Sequence, residues 1–275
     1  MFSRISETFQ KLKKNNMKGF IPFVTAGDPT LEISLDIIKL LPKAGADLIE
    51  IGIPFSDPMA DGKIIQASSL RALKEGITVK KIFEMISNFR QEDSKTPIVL
   101  MGYFNPIYNF GIERFLSSCK QSGVDGLIIV DLPYEHDIEL CTPARKNGID
   151  FIRLVAPTTT NERMPLLLSQ SSGFVYCISV SGITGSKEAE IQIVNNTINR
   201  IRKSSNLPVA VGFGIKTPKQ AEKMLLGAEA TVIGSIIVEK INEIYSSDKE
   251  YKKKLILIDD FIKTFSNEIH RQVRN

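Results

Sequence analysis

The sequence predicts a single α/β domain over residues 1–275: a (β/α)8 TIM barrel with an extra helix before the first strand and a long helix at the end. Three observations predict it. Short, β-branched apolar runs recur along the chain, segments of helical spacing separate them, and polar residues and glycines gather just after the runs. In a barrel of this kind that last position is where the site is built.

The runs are Phe20–Val24, Leu48–Ile51, Ile98–Met101, Leu127–Val130, Phe151–Val155, Phe174–Ile178, Val209–Val211 and Thr231–Ile233. Each is apolar nearly throughout, as a strand must be when helices cover both faces of a parallel sheet. Between them, Leu31–Leu41 sets Leu31, Leu35, Ile38 and Leu41 near one helical face. Ile112–Cys119 does the same with Phe115 and Leu116, and Ile191–Ile201 and Pro218–Leu226 follow the pattern. Asn161 reads as the N-cap of a helix over Met164–Leu168. Gly45, Gly123, Gly148, Gly173 and Gly227 stand before strands as helix stops or turns. Ile5–Asn15 and Tyr251–Gln272 are the flanking helices. No linker-like tract divides the run, which predicts one domain. The gap from Pro54 to Pro97 is too long for a loop and one helix, so it is functional or carries structure of its own.

Composition narrows the function. The formal charge of +4 comes from 35 Lys and Arg against 31 Asp and Glu, with local runs at Lys11–Lys14 and Lys252–Lys254 that read as solvated helix faces. A broad basic stripe with interleaved aromatics, the mark of a nucleic-acid binder, is missing. Cys119, Cys141 and Cys177 show neither CxxC nor metal-ligand spacing, and His136 and His270 are too few for a histidine metal site. No metal is expected. Met1–Asn16 lacks the apolar core of a signal peptide, and no apolar run approaches a membrane span, so the expected compartment is the cytoplasm.

The residues after the eight runs form the list of site candidates: Thr25 and Asp28, Glu50 with Asp57 and Asp61, Tyr103 and Asn105, Asp131, Thr158–Thr160, Ser179–Gly185, Gly212–Gly214, and Gly234 with Ser235. Glu50 is the sharpest, a carboxylate inside Leu48-Ile49-Glu50-Ile51. Alternation points it opposite to Ile49 and Ile51, toward the barrel interior. Desolvation there requires a partner or a retained proton. Either outcome suits a general acid or base with a raised pKa; the alternative is a structural ion pair in the barrel interior. Asp61 lies in a turn-rich loop and is either a turn former or a second catalytic carboxylate. Glycines after the last three runs expose backbone amides which, with a helix starting at Ser235, make an anion site. Tyr176 fills the barrel or joins the site; Phe23 and Tyr103 pack or wall an aromatic ligand. Cys177 reads as a small core residue.

These residues resemble a known family. Phe23-Val24-Thr25-Ala26-Gly27-Asp28-Pro29 is similar to the first-strand motif of tryptophan synthase α chains, and Ile49 through Gly62 (IEIGIPFSDPMADG) to their signature. Met101 through Pro106, Asp131-Leu132-Pro133, Ser179 through Gly185 and Gly212-Phe213-Gly214-Ile215 follow in family order. The resemblance implies a carbon–carbon lyase that splits indole-3-glycerol phosphate into indole and glyceraldehyde 3-phosphate. It implies Glu50 and Asp61 as catalytic residues, Phe23, Tyr176 and Thr184 as substrate contacts, and Gly185, Gly214, Gly234 and Ser235 as the phosphate site. It implies no cofactor of the chain's own, with pyridoxal phosphate in a partner β subunit. That subunit would meet the loops after the second and third strands, including Pro54 and Asp57, in an αββα complex. The chain departs from the family after Asp61-Gly62, where Lys63 stands in place of the usual proline; this frees φ and restores an N–H.

Other phosphate-binding barrels fit less well. An indole-glycerol-phosphate synthase calls for a lysine inside the strands, and none is there; a sugar-phosphate epimerase calls for metal-binding histidines. A stand-alone lyase fits the same site, and a non-catalytic activating subunit is the alternative from another class.

Overall fold

A computed structural model describes residues 3–178, 187–212, 214–225 and 227–271. Eight strands form the barrel: β1 (Gly19–Thr25), β2 (Ile49–Gly52), β3 (Ile98–Gly102), β4 (Gly126–Ile129), β5 in two pieces (Asp150–Phe151 and Arg153–Val155), β6 (Val175–Ile178), β7 (Val209–Gly212) and β8 (Ala230–Ile233). All neighbours pair in parallel, and β1 joins β2 on one side and β8 on the other. The first piece of β5 pairs with β4 and the second with β6, so β5 closes the ring. Each predicted run lies on a strand, with ends shifted by a residue or two.

Alternation along the strands sorts side chains into two apolar layers. Ile21 and Phe23, Leu48, Val99 and Met101, Ile128, Ile152 and Tyr176 fill the interior. The intervening residues face the helices: Phe20, Ile49 and Ile51, Ile98, Val155, Val175 and Val211. Glu50, two residues beyond Leu48, therefore belongs to the interior. The helix Arg4–Lys14 caps the lower end, its N-cap Ser3 accepting the Ser6 N–H and its Ile5, Phe9 and Leu12 joining the interior cluster. The Phe9 and Phe174 rings meet with centroids 5.6 Å apart. The long segment between β2 and β3 holds two helices, Lys63–Lys74 and Val79–Arg90.

Two local expectations need correction. Asn161 is not the cap of the helix Arg163–Leu168: Thr160 Oγ1 accepts the Arg163 N–H, while the Asn161 side chain accepts from the Arg200 guanidinium at 2.8 Å. On the helix Leu31–Leu40 and its C-cap, Ile38 and Leu41 are buried and Leu35 packs against the core as expected, but Leu31 in the first turn is exposed, and Ser34 and Ile37 are buried instead. Gly45, Gly123, Gly148 and Gly173 take the left-handed conformation expected of helix stops, whereas Gly227 does not.

At the lower end a buried carboxylate gathers the chain. Asp125 accepts from Arg4 Nη1, Arg90 Nη2 and the Ile98 N–H, each at 2.8 Å, tying the capping helix, the Val79–Arg90 helix and β3 to the start of β4. Burial lifts its pKa even against both arginines. Asp125→Ala leaves the largely buried Arg90 without its counter-ion and is expected to cost on the order of 3–5 kcal/mol, read by urea unfolding. A loss below about 1 kcal/mol would refute this role.

Candidate active site

The upper mouth of the barrel gathers most of the predicted site. Phe23 on β1 sits in register with Glu50 on β2, and Glu50 with Val99 on β3. Gly52 makes room for the aromatic wall: a Cβ there would fall 2.5 Å from Phe23 Cζ. Gly212 does the same for Tyr176, whose hydroxyl such a Cβ would strike. The tyrosine is buried close enough to Glu50 for the two charges to interact.

Glu50 is 1% exposed. Its Oε2 has no hydrogen-bond partner among the described residues. Burial first, and the charge of Asp61 second, push its pKa to about 8. Of the two readings open at the sequence level, the ion pair has no cation here, and the retained proton is what the geometry favours. The same burial, reinforced by Glu50, holds the Tyr176 hydroxyl protonated.

Asp61 stands differently. It is half-buried; burial raises its pKa while a hydrogen bond from Tyr103 works in the opposite sense. Tyr103 also accepts the Ala60 N–H at 3.0 Å, and its ring lies 5.3 Å from that of Phe55. One side chain thus holds both ends of the loop that carries Asp61. Within the loop Asp61 N–H reaches Pro58 O at 3.1 Å, and Gln66 Nε2 reaches Asp61 O at 2.8 Å. Lys63 is the first residue of the following helix, a position whose N–H has no intrahelical acceptor, so losing the family's proline leaves the hydrogen-bond pattern intact. That helix is fixed to the end of β1 by Thr25 to Ser68 at 2.7 Å and by the fork of Arg71 on Asp28 at 2.7 and 2.9 Å.

The glycines Gly214 and Gly234 follow the last two strands at the mouth. Gly214, with φ +73°, follows β7; Gly234 caps the helix Ser235–Tyr245, which has no side-chain cap and no acidic residue in its first turn. Its leading amides and positive dipole end suit an anion. Thr184 and Gly185 lie outside the described residues. On the loops after β2 and β3, Asp57 is exposed, Pro54 is buried at the loop's root, and Met59 and Tyr108 stand out at 81% and 64% exposure.

Two features escaped the sequence reading. Tyr103 entered it as a site candidate and as packing or an aromatic wall but not as the holder of the Asp61 loop, since a tyrosine at a strand end carries no sign of which loop it holds. Arg153 did not enter at all, although it interrupts the apolar run Phe151–Val155 as Glu50 interrupts its own.

The model of the tryptophan synthase alpha chain family matches residues 9–267. The chain belongs to that family. A Legionella pneumophila tryptophan synthase subunit alpha superposes with TM-score 0.90 at 35% identity, covering 98% of this chain and all of that one (100%). A Mycobacterium tuberculosis tryptophan synthase in its aminoacrylate-bound form gives 0.85 at 26% identity, covering 98% and 100%. The family is one of lyases in tryptophan biosynthesis, and its TIM-barrel fold is the architecture found here.

Tyr103→Phe keeps the ring and removes both hydrogen bonds to the Asp61 loop. Turnover is expected to fall by about 10- to 150-fold, the range set by losing a hydrogen bond to a charged group. The acid limb of the pH–rate profile is expected to move upward, because the bond that lowers the Asp61 pKa is gone. An unmoved acid limb would show that Tyr103 does not act through Asp61.

Proposed function

We propose that the chain cleaves indole-3-glycerol phosphate to indole and glyceraldehyde 3-phosphate, with Glu50 as general acid and Asp61 as the charged partner. The observation that carries this reading is the pair of unlike carboxyls: one in the barrel interior with a pKa near 8, the other at the mouth on a tethered loop. Environments that push two carboxyls apart assign the acid and the anion.

The substrate phosphate would rest on the amides around Gly185, Gly214, Gly234 and Ser235, with the indole between Phe23 and Tyr176 and under Thr184. Glu50 delivers a proton to the ring carbon that bears the side chain, forming the indolenine. Asp61 offsets the positive charge growing at the ring nitrogen. The carbon–carbon bond then breaks as the adjacent hydroxyl becomes the aldehyde, its electron pair restoring the indole ring. The hydroxyl proton passes to the ionised Glu50, which is acid again for the next turnover. The reaction draws on no metal and no organic cofactor.

The reading includes a β subunit, itself the holder of pyridoxal phosphate, in an αββα complex. Asp57, Met59 and Tyr108 offer it surface, while Pro54 shapes the loop from beneath. A cytoplasmic setting belongs to the same proposal. Indole release from indole-3-glycerol phosphate, followed with and without the β subunit, tests all of this. Slow release that rises with the partner supports it; fast release alone favours a stand-alone lyase; binding without release in either case leaves a non-catalytic partner.

Glu50→Gln is expected to fold, bind phosphate and lose cleavage. The native alkaline limb asks for protonated Glu50, so kcat/KM is expected to fall as pH rises through about 8. The folded pKa lies above the unfolded one, so folding favours the protonated form. Native stability should therefore decline from about pH 4.5 up to about pH 8, and Glu50→Gln should remove the decline, a difference on the order of a few kcal/mol at pH 8. Melting curves of both proteins at pH 5 and 8 measure it. Parallel pH dependence, or substantial turnover by the variant, would refute the acid role.

A further inference from the structure

The barrel wall has a slot. β4 and β5 pair through Gly126↔Asp150 and Leu127↔Phe151, and the bond from Ile152 N–H to Leu127 O at 2.9 Å continues that ladder by one step. Past Ile152, β5 turns its pairing to β6, from Arg153↔Val175 to Val155↔Cys177. Above that level Ile129–Pro133 and Ile152–Leu154 flank a cavity of about 550 Å³.

Alternation decides where the cavity leads. Ile152 belongs to the interior cluster and Leu154 packs against it, while Ile178 lies two residues beyond Tyr176 on the same face. All three line the cavity, so its inner end is the rim of the mouth. The outer end is polar. Arg153, buried, donates to Leu132 O at 2.6 Å and pairs with Asp137, and its Nε has no acceptor among the described residues. Thr159 Oγ1 accepts the Ala156 N–H, which leaves its hydroxyl proton to give, whereas Thr160 accepts the Arg163 N–H and donates to Glu162.

Strand order fixes the direction of the substrate. β4 stands opposite β8 in the ring, and the glycine loops with the Ser235 helix follow β7 and β8. A substrate held there by its phosphate, and passing Glu50 and Tyr176, turns its aromatic end toward β4 and β5. Asp137 already balances Arg153, so the slot suits a neutral group that accepts hydrogen bonds.

Resting on the cleavage reading above, we propose that the β4–β5 slot is a subsite for a substituent on the benzo ring of the substrate, taking neutral groups that carry an acceptor oxygen, such as methoxy. The enzyme with its β subunit is given indole-3-glycerol phosphate, and the methoxy- and ethyl-substituted compounds at each benzo position, and kcat/KM is measured for each. At one ring position or more the methoxy compound is expected to stay within about threefold of the parent and to exceed the ethyl compound. Ala156→Leu, which narrows the slot, is expected to cost that methoxy compound about tenfold or more and the parent less than about threefold. Rejection of every methoxy isomer by about a hundredfold, with the parent still cleaved, overturns the subsite alone. An equal loss for both compounds in Ala156→Leu overturns it too. No cleavage of the parent overturns the function on which it rests. The wild-type series decides by itself if Ala156→Leu fails to fold.

Discussion

A closed parallel barrel gives a strand no wet face. Every side chain on β1 to β8 goes either into the interior or under the helices, and both layers are apolar. A charged residue in such a strand must be neutralised or matched. Glu50 and Arg153 show the two solutions. Glu50 faces inward without a cation, and with a pKa near 8 it keeps its proton at neutrality. Arg153 faces outward; burial lowers its pKa to about 10, which still leaves it charged, so it needs Asp137 and the Leu132 carbonyl. The difference between a residue that can shed its charge and one that cannot separates the acid of the site from the pin of the wall.

The second carboxyl draws its character from a lesser burial. Asp61 sits on a loop whose backbone is fixed by Tyr103, by Gln66 and by its own turn, and whose following helix is docked on β1. It keeps a donor, from Tyr103, such as Glu50 Oε2 lacks among the described residues. The charge of Asp61 also disfavours ionisation of Glu50, so charging Asp61 helps to keep Glu50 protonated. The pair behaves as one unit in which the outer anion maintains the inner acid.

The strands and the inward direction of Glu50 were legible because both rest on local rules: apolar runs of strand length and a period of two. The same period could have found Arg153, but a positive charge in a strand suggests no chemistry and drew no notice. The Asn161 cap failed for a tertiary reason. Arg200, 39 residues further along, claims the asparagine oxygen, and Thr160 takes over the helix end. Tyr103 was visible only as a candidate, because its bond to Ala60 spans 43 residues and nothing in its neighbours announces it. Thr184 and Gly185 rest on the family motif alone, outside the described residues.

Asp125 and Glu50 show two treatments of a buried carboxyl. At the lower end Asp125 is fully matched by two arginines and a backbone amide, and the capping helix closes the interior over it. In the upper half, Glu50 Oε2 and Arg153 Nε are buried without partners among the described residues. Unmatched buried polar atoms cost stability, on the order of 1–3 kcal/mol each. A fold selected for stability alone would match them as it matches Asp125. Both nevertheless lie at or beside the mouth, one in the interior near Tyr176, the other lining the cavity that opens where β5 changes partner. Their cost is of the kind a preorganised site carries before its ligand arrives, with groups held ready whose matching partner is the substrate itself.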